Sequence, residues 1–145
     1  MEIYTIGFTR KTAEEFFELL RGAGIKRLVD VRLNNVSQLA GFAKRDDLRY
    51  FLRELCGADY VHLPILAPDD ALLKGYRDKK VTWDEYVPRY QALMAERKVE
   101  LVVERSLFDV PAVLLCSEPT AERCHRRLAA EYLAVAWGGA TIRHL

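Results

Sequence analysis

Short apolar runs alternate with capped amphipathic segments along the chain, and that alternation leaves few folds open. MEIYTI (1–6), KRLVDV (26–31), DYVHL (59–63), PAVLL (111–115) and ATIRHL (140–145) read as strands. Thr12-x-x-Glu15 and Thr82-x-x-Glu85 are capping boxes. Phe16, Leu19 and Leu20 give the first helix an apolar face, and Gly22 and Gly24 end it. Asp46 or Asp47 caps a helix through Leu55, closed by Gly57. Thr82 opens a helix to Arg97, in which Pro88 predicts a kink or a restart. Residues 98–108 read as a short helix, and Pro119 takes a first-turn position in a helix to Trp137. The stretches Arg32–Arg45 and Pro64–Val81 read as irregular. Strand–helix alternation implies a parallel sheet covered on both faces, with right-handed crossovers. The expectation is a single α/β domain over residues 1–145, with a parallel or mostly parallel sheet of about five strands. At 145 residues and 50% hydrophobic content the chain can bury a real core.

Charge and composition narrow the function classes. Lys and Arg number 22 against 21 Asp and Glu, so bulk basicity gives no argument for nucleic-acid binding. No apolar run approaches the ~20 residues of a spanning helix, so no membrane partner is expected. Met1-Glu2-Ile3 lacks the basic segment of a signal peptide, and the expected location is cytoplasmic. Three cysteines are too few for a disulfide framework. In a reducing compartment they are buried, reactive or ligating.

In such sheets ligands sit at the carboxyl ends of the strands. Cys116-Ser117-Glu118-Pro119 leaves a strand for a helix, a setting that favours a thiolate; the alternative is a small buried residue ending a core strand. Asp30-Val31-Arg32 offers an acid and a base two residues apart, to position a ligand or to tether the following loop. Gly7-Phe8-Thr9 permits close backbone approach and offers a hydroxyl, or is a plain turn. Cys124-His125-Arg126 lies in the last helical segment. There Ala121, Cys124, Leu128, Tyr132 and Val135 have core spacing, and His125 is either at the crevice rim or exposed. Arg45, Arg49 and Arg53 share a helix face, and Lys74, Arg77, Lys79 and Lys80 surround Tyr76. Each cluster is a solvated surface or a phosphate track with a stacking ring.

Taken in order, Tyr4-Thr5-Ile6-Gly7-Phe8-Thr9, Leu28-Val29-Asp30-Val31-Arg32, Gly41-Phe42, Tyr60-Val61-His62-Leu63-Pro64, Leu115-Cys116-Ser117-Glu118 and Cys124-His125-Arg126 form a pattern. It resembles the prokaryotic "domain of unknown function 488" family over nearly the whole chain. The resemblance implies motif positions at Gly7, Asp30, Arg32, Cys116, Glu118, Cys124, His125 and Arg126, and no activity.

Three functions fit these residues. The first is an enzyme on a small anionic, nucleotide-like substrate. Cys116, Glu118 and His125 would do the chemistry, and Gly7, Thr9, Asp30, Arg32, Cys124 and Arg126 would bind. The second is a nucleic-acid binding or processing module on the basic clusters. The third is a metal-binding protein using Cys116, Glu118, Cys124 and His125, against which stands the divergence of adjacent residues on one helix. The sequence names no cofactor and no oligomeric state.

Overall fold

A computed structural model describes residues 1–36, 41–118 and 121–145. Five strands form one all-parallel sheet: β1 (Glu2–Gly7), β2 (Arg27–Asp30), β3 (Asp59–His62), β4 (Ala112–Cys116) and β5 (Thr141–His144), in the order β3-β2-β4-β1-β5. All five expected strands are present. The central β4 is buried at every position, as a strand covered on both faces must be.

Two apolar layers cover the sheet. Ile6, Leu28, Tyr60, Val113 and Leu115 pack under α1 (Ala13–Gly22) and α2 (Arg45–Phe51), through Phe16, Phe17, Leu20 and Leu48. A π-helical turn, Leu52–Cys56, continues α2, and Gly57 closes it in the left-handed region. On the other face Ile3, Val29, Val31, Leu114 and Cys116 pack under α3 (Asp70–Arg77), α4 (Trp83–Arg97), α5 (Val99–Val102) and α6 (His125–Ala136). Leu72, Tyr90, Met94, Leu128 and Leu133 are the main contacts from those helices.

Several boundaries differ from the sequence reading. Within the segment read as irregular, Asp69 caps α3 by accepting the Leu72 N–H at 2.8 Å. One helix spans both sides of Pro88, held by the buried Tyr86, Tyr90 and Met94, so there is no restart. The last helix starts at His125 with Cys124 as its N-cap, and Val135 is 82% exposed, so Cys124 and Val135 do not share a core stripe. Pro119, the expected first-turn residue, lies outside the described residues, as do residues 37–40 of the loop after β2.

The topology selects one strand end. The chain leaves β1 and β2 towards the α1/α2 layer, but leaves β4, which lies between them, towards α6. Adjacent strands whose connections part to opposite faces open a crevice at their carboxyl ends. Cys116 is the last residue of β4.

Candidate functional site

Register decides which side chains meet at that end. Gly7 pairs with Cys116, and Thr5 lies two residues back on the same face as Gly7. Above them, Cys124, His125 and Arg126 open α6. The Cys116 and Cys124 sulfurs and a ring nitrogen of His125 all lie within 4.8 Å of one another. Cys116 and Cys124 are joined as a disulfide, and their Cα atoms are 7.6 Å apart.

A backbone contact fixes the His125 tautomer. Its Nε2 is 2.8 Å from the Val31 carbonyl oxygen, which can only accept, so Nε2 carries the hydrogen. Nδ1 is left with a lone pair. Burial pushes the imidazole down to about 4, against the opposing effect of the Val31 contact, so the ring is neutral near pH 7. A neutral imidazole whose N–H is held by a backbone carbonyl is the form that ligates metals.

Arg126 is fully buried and spans the site. Its Nη1 donates to the Glu118 carbonyl at 2.6 Å and to the Cys116 sulfur at 3.3 Å, and its Nε donates to the Thr5 hydroxyl at 3.3 Å. No carboxylate pairs with it among the described residues, and Nη2 is buried without a hydrogen-bond partner there. Burial lowers the guanidinium to about 10, and it stays charged at neutral pH.

Gly7 is required by this packing. A Cβ there would run into the Glu118 backbone carbonyl and come within 2.7 Å of Arg126 Nη1. Backbone cannot give way as a side-chain tip can. Gly7→Ala is therefore expected to cost on the order of 3 kcal/mol, read from urea unfolding, and to displace Arg126.

The remaining expected residues are placed elsewhere or differently. Asp30 pairs in register with Leu115, not Cys116, so its carboxylate faces the α1/α2 layer. There it accepts Arg32 Nε at 2.9 Å, Arg32 Nη2 at 2.8 Å and the Tyr60 hydroxyl, while Arg32 Nη2 also donates to the Ala43 carbonyl at 2.8 Å. The Asp30–Arg32 pair is buried and pins the loop after β2. It and Cys116 occupy opposite faces of the sheet. Thr9 spends its hydroxyl on the Ser117 carbonyl at 2.6 Å, tying two strand-end loops together. Glu118 is exposed; its backbone carbonyl accepts from Arg126 Nη1, while its carboxylate makes no ion pair there and acts on Arg126 only through space. The metal-type cluster is thus Cys116, Cys124 and His125 without Glu118. Adjacent residues on a helix do diverge, but Cys124 is the cap and has extended backbone, so its sulfur and the ring of His125 can face one point. Thr5 and Tyr60 were missed; a threonine inside an apolar strand and a tyrosine beside an acid-bearing strand were the available signals.

The basic clusters are largely engaged. Tyr76 packs against Trp83 and Tyr86, at centroid separations of 5.7 and 5.1 Å. Lys74, Arg45 and Arg53 pair with Asp70, Asp46 and Glu54. No helix among the described residues is long and apolar enough to cross a membrane.

The family model for "Domain of unknown function DUF488" matches residues 12–133. The chain belongs to the DUF488 family. No curated protein and no solved structure matches it. Within this DUF488 protein the family match spans Asp30-Val31-Arg32, Cys116 and Cys124-His125-Arg126, so the buried Cys/Cys/His cluster falls inside the matched region.

Proposed function

We propose that this protein is an enzyme whose centre is a transition metal, most simply zinc, held by Cys116, Cys124 and His125 at the carboxyl end of β4. The observation that carries the reading is the meeting of two sulfurs with an imidazole whose tautomer is fixed by Val31. Once a thiol reductant has supplied the two electrons that open the Cys116–Cys124 disulfide, two thiolates and an imidazole suit zinc, and three protein ligands leave a fourth position for water or substrate, the arrangement of catalytic sites. The Cα separation of 7.6 Å supports it. Disulfides span roughly 4.4–6.8 Å, whereas tetrahedral zinc holds two sulfurs about 3.8 Å apart and tolerates a wider backbone spacing. The substrate class expected from the sequence, a small anion, is kept. The role of Cys116 changes from nucleophile to ligand, with Arg126 supporting its thiolate.

The experiment is metal analysis of the full chain, purified with reductant, together with iodoacetamide labelling. One equivalent of metal is expected. Cys116 and Cys124 should label only after a chelator is added, while Cys56, which is remote from the cluster and half-buried beside the Phe17 carbonyl, labels in both conditions. Less than about a tenth of an equivalent of any transition metal would sink the proposal. Hydrolysis of a panel of small anionic esters, abolished by the chelator, tests the enzymatic part.

A further inference from the structure

The α1/α2 layer holds a cavity of about 290 Å³ that the metal centre does not use, since Cys116 lies on the opposite face of the sheet. Small-molecule pockets begin near this size, at about 300 Å³. Three phenyl rings wall it: Phe17 from α1, Phe42 from the turn Gly41–Ala43 and Phe51 from the end of α2. Phe17 meets Phe42 and Phe51 at centroid separations of 5.9 and 5.8 Å, with ring planes inclined by 65° and 64°. Inclined rings bound a hollow that stacked rings would close. Leu55, supplied by the π-helical turn, lines the same hollow and is 46% exposed. Such turns recur at functional sites. Elsewhere Phe8, Tyr50, Tyr60 and Trp83 each have a guanidinium of the chain over the ring. Among the described residues no cation lies over Phe17, Phe42 or Phe51.

Charge at the rim of the hollow has one sign left over. Glu14, Glu18 and Arg21 line it. Arg21 donates to Glu18 at 2.8 Å, while Glu14 forms no ion pair among the described residues. Glu14 stands in the first turn of α1, whose positive end offsets only about half a charge. Aromatic faces carry the negative part of the ring quadrupole and attract cations. We propose that this cavity is a binding site for an alkylated ammonium ion of the trimethylammonium type. Its methyl groups lie against Phe17, Phe42 and Phe51, and its charge faces Glu14. An anion would meet both the ring faces and the carboxylate with the wrong sign. A primary ammonium is strongly hydrated and loses more on entering an apolar hollow than a methylated one does. The site is independent of the metal centre and binds with or without zinc.

The test is an NMR titration of the full chain with choline chloride. Sodium chloride at matched ionic strength and dimethylbutanol, in which carbon replaces the choline nitrogen, are the references. Choline should shift the ring signals of Phe17, Phe42 and Phe51 and the methyl signals of Leu55 to saturation, and should bind at least about fivefold tighter than the alcohol. Phe51→Leu keeps an apolar wall but removes the ring, and should weaken choline at least about fivefold. Glu14→Gln, a change at an exposed side chain, should weaken it about threefold. If Phe51→Leu does not fold, Glu14→Gln and the alcohol decide. Choline and the alcohol binding equally well would make the hollow an apolar cavity without charge preference and overturn the site. Shifts that do not saturate, or that fall outside the hollow, overturn it too, as does full affinity in both variants. Choline affinity should be the same in zinc-loaded and chelator-treated protein, so a failure here leaves the metal reading standing.

Discussion

Asp30→Ala is expected to destabilise the fold by about 3–5 kcal/mol, the cost of leaving one member of a buried ion pair without its partner. Asp30 is fully buried and Arg32 is 6% exposed, so water cannot replace the lost carboxylate. The guanidinium would retain only the Ala43 carbonyl and the face of Phe8, whose ring centre is 5.2 Å away. The Tyr60 hydroxyl would lose its acceptor, leaving Asn35 as its partner. The double variant Asp30→Ala/Arg32→Met should recover part of the loss, because removing both charges removes the unpaired one. Urea unfolding of the three proteins measures this. A single variant that keeps full stability but loses ligand binding would instead make the pair a binding device.

Cys124→Ser is expected to weaken zinc binding at least about 100-fold, since even outer-shell changes cost 10- to 100-fold. The ligand set would fall to one thiolate and one imidazole, and the cap of α6 would change with it. His125→Gln should act in the same direction while also losing the Val31 contact. Cys56→Ser should leave affinity unchanged. Competition against a chromophoric chelator under reducing conditions gives the constants. Equal affinity in Cys124→Ser and the wild type would place the metal elsewhere.

The strands were legible because they are short, apolar and bounded by glycine or proline, and because a sheet covered on both faces needs little alternation. The end of PAVLLC was legible as a candidate site because the rule about strand ends needs only the order of elements. Two things were not legible. One is register. Whether Asp30 lies beside Leu115 or beside Cys116 sets which face its carboxylate takes, and that pairing is a long-range property of the folded sheet. The other is the start of α6. Pro119 is a strong local signal and cysteine is an uncommon cap, so the sequence pointed six residues too early; the structure instead uses Cys124 to bring a sulfur back to Cys116. The helix α3 was hidden by its brevity and by Gly75, although Pro68-Asp69-Asp70 carried a readable cap.

X-ray absorption at the zinc edge of the reduced, zinc-loaded full chain probes the ligand set directly. The account predicts two sulfur scatterers at about 2.3 Å and an imidazole nitrogen at about 2.0 Å, with a light atom completing the shell. A first shell of oxygen and nitrogen alone, or a chain that holds no zinc with all three thiols free, would contradict it.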